Sequence, residues 1–410
     1  MAYITYVVKI IKRGRKFALK AKTYDFKTRT EILTHKNLNA GNVWPVALDI
    51  GYSGVKGFSP NKVFCFPSFA REKTPDMTVV GNPKNTDIFY RDEKGVEWFV
   101  GSFAQDILNT SDTNDSVNTL YNRNRYFSPM FLVLARVGIA IGLKENNIGK
   151  FDCEKHSLFL QTGLPPAYRK QDTPLLIEAL EGHHEFSMKI GSGPWQNYAF
   201  DLTPQTIDVM DQPLGSVYSA SKTNDGSTVV GMDGRAYVDS RMLVFDGGFG
   251  TLDVYNIINR SILGSNTFDE LAMKAVFQKT CDEIMRRYGK FIPVHTIQPY
   301  LESGTISVLN RKKHSTEQYD IQEILQSCSQ AVCQKALERI EGIYNNLEDY
   351  EYLLVTGGTG AAWLGYIQEH YKDMQTLQVI TANQNENLPP IYSNVRGYYI
   401  YRVLRILSGR

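Results

Sequence analysis

The 410-residue chain is expected to fold as an α/β protein of two similar lobes. Three observations point there. Two Asp-Gly turns, Asp49-Ile-Gly51-Tyr-Ser53-Gly54-Val-Lys56-Gly57 and Asp246-Gly247-Gly248-Phe-Gly250-Thr251-Leu-Asp253, each follow an apolar β-type run and turn through glycines into another. The order strands-then-helices occurs twice along the chain. A third glycine-rich turn, Thr356-Gly357-Gly358-Thr359-Gly360, joins the apolar run Tyr352 to Val355 to a helical pattern. A single Asp-Gly turn is only a common hairpin signal. Two of them, each with an Asp closing the leading strand, suggest a duplicated domain gripping one phosphorylated ligand between its halves.

Taken in order, residues 1–44 alternate loosely (Ile4, Tyr6, Val8, Ile10) before turning basic, and read as an edge hairpin or a flexible extension. Strands are expected at 46–48, 63–66 and 98–100. A helix follows over 128–142, a strand over 157–161, a helix over 172–182 and strands within 185–210. The Gly/Ser/Asn-rich stretch 219–239 reads as a boundary or surface loop. After the second hairpin, Asn266 or Thr267 is placed as the cap of a helix reaching Tyr288. A second long helix spans 321–344. The expected division is a basic extension over 1–44, lobe I over 45–240, lobe II over 241–390, and a C-terminal segment, 391–410, that returns to lobe I.

Composition is that of a globular protein, 42% hydrophobic and 21% charged with net charge +2. The near-neutral total hides an asymmetry. Ten of the 45 basic residues lie within residues 1–45, where they face only Asp25 and Glu31, so the N-terminal stretch carries +8 and the remainder −6. Such an arm suits DNA, anionic lipid or the acidic body of a neighbouring subunit, the last being favoured. Five scattered cysteines (Cys65, Cys153, Cys281, Cys328, Cys333) lack the spacing of a zinc site or disulfide framework and point to the reducing cytoplasm. No apolar run approaches the ~20 residues that span a bilayer. The run Phe131 to Leu143 contains Arg136 and reads as a buried helix.

The chemistry sits in the turns. Gly51, Ser53 and Gly54 let backbone N–H groups converge on an anion, and Lys56 on the returning strand brings an ammonium to the same place. Gly247, Gly248 and Gly250 within four residues would weaken a strand unless backbone must approach something closely. Asp49 and Asp246 would then face a shared magnesium, held largely through water. The Gly357–Gly360 turn is a general nucleotide-approach device. Blander readings go to Cys328 and Cys333 as core or half-buried thiols, His183-His184 as a polar turn, and Arg311 to His314 as a basic hairpin tip.

The order DIGYSGVKG, DGGFGTLDVY, VTGGTG resembles the two phosphate motifs and the adenosine motif of the actin superfamily, and within it the ParM-type plasmid actins. Phe66-Pro67-Ser68 and Asn394-Val395-Arg396-Gly397-Tyr398 are similar to that subgroup. The resemblance implies a two-lobed actin-like fold around a nucleotide cleft. It implies that Asp49 and Asp246 organise Mg2+, and that Lys56 and the amides around Ser53, Gly54, Gly248 and Gly250 hold phosphates, with Thr251 beside them. Gly357 and Gly358, with Thr359 and Gly360 following, would pack against adenosine. Gln212 would position the attacking water, with Asp211 as rival catalytic group. The implied protein binds and hydrolyses ATP or GTP, assembles with itself into filaments, and drives plasmid DNA segregation through a DNA-binding adaptor. The alternatives are a small-molecule kinase of the superfamily and a nucleotide-gated scaffold that does not polymerise.

Overall fold

The computed structural model describes residues 22–107, 123–231, 233–310, 312–383 and 387–409. Residues 1–21 of the basic N-terminal stretch lie outside the described residues, as does Arg311. The first strands are β1 (Glu31–Thr34), β2 (Val43–Ile50), β3 (Gly54–Ser59) and β4 (Lys62–Pro67). A flanking group follows: β5 (Ala70–Glu72), β6 (Ile88–Asp92), β7 (Glu97–Val100) and the short helix α1 (Ser102–Asp106). Helix α2 (Pro129–Leu143), β8 (Ser157–Leu164), α3 (Pro166–Leu180), the hairpin β9 (Gly182–Ile190) and β10 (Gln196–Leu202), and β11 (Ile207–Asp211) complete lobe I. Helix α4 (Gln212–Ser221) leaves it.

Lobe II repeats the plan. Strands β12 (Arg241–Gly247), β13 (Leu252–Ile258) and β14 (Ser261–Phe268) precede α5 (Met273–Tyr288), α6 (Gln298–Ser303), the hairpin β15 (Thr305–Asn310) and β16 (Ser315–Asp320), and α7 (Gln322–Ile343). Strand β17 (Tyr352–Thr356), α8 (Gly357–His370) and β18 (Gln378–Thr381) close the sheet, and α9 (Ser393–Leu407) leaves it. The main sheets run β1-β4-β3-β2-β8-β11 and β14-β13-β12-β17-β18. Without β1 the two orders are identical, with two antiparallel pairings followed by two parallel ones in each. The duplication inferred from two turns is a duplication of whole sheets.

Strand β2 is apolar from Val43 to Leu48 because both of its faces are covered. On one side lies α2, capped by Ser128, whose hydroxyl accepts from the Phe131 amide at 3.2 Å. Helix α2 is buried almost all round, and Gly138 and Gly142 let it approach to where a Cβ would touch Leu48 and Val46 at 3.1 and 3.0 Å. Its one charge, Arg136, donates to Tyr90 Oη (2.7 Å) and His184 Nδ1 (3.1 Å). His184 therefore belongs to β9 and the core rather than to a polar turn. No helix among the described residues is long and apolar enough to cross a membrane.

The other face of the lobe I sheet is covered by α9, through Val395, Tyr398, Tyr399 and Val403 against Ala47, Phe58 and Val63. Reciprocally, α4 covers the lobe II sheet, through Val217 and Ala220 against Met242, Val244 and Leu354. The two exit helices cross where Gly215 meets Gly397. A Cβ on Gly397 would overlap the Gly215 carbonyl oxygen, and one on Gly215 would come within 2.5 Å of the Tyr398 ring.

Several expected elements are corrected. Asn266 and Thr267 lie in β14, not at a helix cap, and the helix begins at Met273. Helix α3 starts six residues earlier than expected because Pro166 sits in the first turn, where its missing N–H costs nothing. Gly357 to Gly360 form the first turn of α8 rather than a loop ahead of it. Within the stretch read as an extension, residues 31–34 are the edge strand β1, paired with β4.

Gly397→Ala should destabilise the protein by about 3 kcal/mol or more, since neither backbone at the crossing can yield. Gly342→Ala, on α7 with open space around it, should stabilise by roughly 0.5–1 kcal/mol. Thermal unfolding of the two variants checks the pair, and equal melting temperatures would refute the crossing as a tight contact.

Candidate functional site

In the β2–β3 turn Asp49 and Lys56 are cross-strand partners, and Lys56 Nζ donates to Asp49 Oδ2 at 2.9 Å. Burial alone would push the Lys56 pKa down, but Asp49 and the more distant Asp246 outweigh it and leave it raised, so the ammonium stays charged. The turn is pinned by Gly51 N–H to Gly54 O at 3.1 Å and by the Ser68 hydroxyl to Gly51 O at 2.6 Å. From the far side Arg125 donates to the Ile50 carbonyl at 2.5 Å and stacks on the Tyr52 ring, 4.4 Å from its centroid. The Arg125 Nη1 is buried with no hydrogen-bond partner among the described residues.

The β12–β13 turn is the lobe II counterpart. Asp246 faces Asp253 across the strands, and Gly248 N–H closes the turn onto Thr251 O at 2.9 Å. Asn394, on α9, donates to Asp246 Oδ2 at 2.7 Å. The hydroxyls of Thr251 and Thr267 donate to the two oxygens of Asp253 at 2.9 and 2.6 Å. Burial pushes Asp246 up to about 6, with Asp49 adding to the rise and Asn394 and Lys56 opposing it. Burial likewise pushes Asp253 up to about 7.

Gly357 stands against this turn with φ of +78°, and a Cβ there would overlap the Gly247 carbonyl oxygen. Only glycine meets both demands. Thr359 adds a hydroxyl donation to Gly248 O at 2.5 Å.

The two turns open on one interlobe cleft of about 560 Å³. Every residue singled out from sequence lines it except Asp211, Gly247 and Gly360. Gly247 and Gly360 face each other instead, a Cβ on Gly247 reaching 2.6 Å from the Gly360 amide, so these glycines bring α8 onto β12. Gln212, the first residue of α4, extends Nε2 toward Asp49 Oδ1 at 3.4 Å. Asp211 accepts from Arg169 Nε at 2.5 Å and from the Tyr255 hydroxyl. Sequence reasoning missed Asn394, Arg125 and Tyr52, whose ring packs on Gly250 of the opposite lobe. It also missed residues 25–31, which form part of the lining.

Two matched sheets, each presenting an Asp-Gly turn to a shared cleft, are the decisive arrangement. The fold is actin-like. Residues 47–215 match the family model described as the N terminal domain of actin like proteins. The solved pCBH ParM, a non-polymerisable quadruple mutant, superposes with a TM-score of 0.65 at 20% identity over 88% of this chain and 99% of that one. An archaeal actin homolog in complex with ADP gives 0.57 at 15%, over 88% and 100%. Bacillus thuringiensis ParM with ATP gives 0.55 at 17%, over 89% and 100%. At these identities the likeness is one of fold, and the family match covers the larger part of lobe I. Curated proteins give no match.

The donor set of the actin-like cleft fits a hard divalent cation held mainly by ligand oxygens and water. Asp49 approaches Asp246 from the opposite lobe closely enough to raise the proton affinity of Asp246. Among the described residues no cluster of three or more His, Cys, Asp or Glu forms a cage.

Both Asp246 and Asp253 bind a proton more tightly folded than unfolded. The stability they confer is full below about pH 4 and is lost as pH rises through about 6 and 7. Asp253→Asn should therefore raise the melting temperature of the nucleotide-free protein by roughly 2–5 °C at pH 8 and leave it unchanged at pH 4.5. Equal shifts at both pH values would contradict the assignment.

Proposed function

We propose that the cleft binds ATP or GTP with magnesium and hydrolyses it, and that the nucleotide state governs assembly of the chain into a filament. Carriage of plasmid DNA through a DNA-binding adaptor is the cellular task this reading favours. The observation that carries it is the convergence of two phosphate-type turns from opposite lobes on one cleft, with Lys56 and Gln212 between them. The solved neighbours described with ADP and with ATP, and the one described as a non-polymerisable mutant, support the nucleotide and filament parts by analogy.

In this reading the amides of the two turns receive the β- and γ-phosphates, and Lys56 and Arg125 supply positive charge from the lobe I side. Asp49 and Asp246 would hold the cation, which when bound neutralises charge developing on the phosphates. Gln212 cannot take a proton, so its contribution is to orient the attacking water. Asp211, already engaged by Arg169 and Tyr255, is poorly placed as a general base. That engagement also counts against a kinase, which would need a free carboxylate facing a substrate hydroxyl.

Light scattering and negative-stain microscopy after addition of ATP or GTP with magnesium test the proposal. Filaments that form with nucleotide and decay as phosphate is released are expected. A monomer that phosphorylates a sugar would overturn it. Asp246→Ala should abolish hydrolysis and magnesium-dependent binding. Gln212→Ala should still assemble, hydrolyse about 10- to 100-fold more slowly, and give long-lived filaments. Asp211→Asn should turn over near the parental rate, and a loss as large as that of Gln212→Ala would reassign the water-positioning role.

A further inference from the structure

Residues 23–34 run from one lobe to the other along the cleft. At one end the 3-10 turn Thr23–Phe26 docks on lobe II: it packs against α6, the Thr23 amide donates to Gln322 Oε1 at 2.8 Å, and Phe26 packs on the lobe II core. At the other end β1 pairs with β4 as the sixth strand of the lobe I sheet. Thr30 is tied to lobe I as well, its amide and hydroxyl meeting the Ser102 hydroxyl at 3.0 and 2.9 Å. Between the two ends, residues 25–31 line the cleft, and Thr28 lies against the phosphate turn, its methyl 2.9 Å from where a Cβ on Gly54 would be.

A side chain of this segment also joins the lobes directly. Lys27, only 10% exposed, places Nζ 3.2 Å from Glu302 on α6 and 3.5 Å from Asp106 on α1, so a single ammonium is shared by carboxylates of opposite lobes. Arg29 Nη2 reaches the same Glu302 oxygen at 3.3 Å. Opening the cleft by moving the lobes apart must therefore break the Lys27 and Arg29 pairs or peel Phe26 from lobe II.

We propose that residues 23–34 are a strap that forms a third wall of the cleft and clamps the lobes, so that nucleotide leaves only when the Lys27–Glu302 and Arg29–Glu302 contacts open. This rests on the nucleotide reading above. Exposed ion pairs are individually weak. Here two of them converge on one carboxylate at the end of a segment anchored on both sides, and opening must disrupt them together.

The test is the rate at which a fluorescent ATP analogue is chased from the full-length protein in stopped flow. Lys27→Glu with Arg29→Glu, which sets two acids against Glu302 and Asp106, should release it about tenfold faster. Adding Glu302→Arg should restore much of the parental rate. Amide hydrogen exchange without nucleotide should show Thr23–Phe26 and Gln298–Ser303 losing protection together in the double variant. Unchanged release, or release that Glu302→Arg does not slow, overturns the strap. A parental protein that fails to bind the analogue removes the nucleotide reading and the strap with it, and is seen before any variant is compared.

Discussion

The arrangement on which everything else depends is the contact of Gly215 with Gly397. Each lobe sends its exit helix across to cover the other lobe's sheet, and the two helices can cross only where both lack side chains. The separation of the lobes is thereby set by backbone against backbone, a contact with no rotamers to absorb error. The positions of Gln212, three residues before Gly215 on α4, and of Asn394, three residues before Gly397 on α9, follow from it. Both reach into the cleft from the same crossing, one toward Asp49 and the other onto Asp246.

Around that crossing the protein buries carboxylates it would lose less by leaving in water. Asp246 and Asp253 lie on facing strands with hydroxyl and amide donors but, among the described residues, without a cation of their own within hydrogen-bond reach, whereas Asp49 has Lys56. Charge is thus unbalanced between the halves. The lobe I turn is nearly neutralised internally, and the lobe II turn is left with acids whose affinity for protons is raised by burial. The imbalance is relieved by binding protons, and any cation brought to the lobe II turn would compete with them.

The fold was legible wherever burial acts on both faces of an element. Strand β2 and helix α2 read correctly because their apolar runs are broken only by Asp49 and Arg136, and the two Asp-Gly turns announced the repeated sheets. Local signals failed where tertiary structure gave them another use. Asn266 and Thr267 have the chemistry of a helix cap, but the Thr267 hydroxyl is committed to Asp253. Gly247 and Gly360 show a use of glycine that a sequence does not display, since each also lets α8 approach β12. Asn394 is 148 residues from Asp246 and Tyr52 meets Gly250 across the cleft, so no short-range pattern could join them. Strand β1 carries only the adjacent apolar pair Ile32 and Leu33 between Glu31 and Thr34, too short a pattern to stand out from the basic stretch around it.

The exchange of exit helices also sets a timetable for synthesis. The last strand of the lobe I sheet ends at Asp211, but the helix that covers its second face is Ser393–Leu407. At about 5–20 residues per second, roughly ten to forty seconds separate the two on the ribosome. Throughout that interval Ala47, Phe58 and Val63 lack the α9 side chains that cover them in the folded protein, and the first lobe must wait, half covered, for the last helix to arrive.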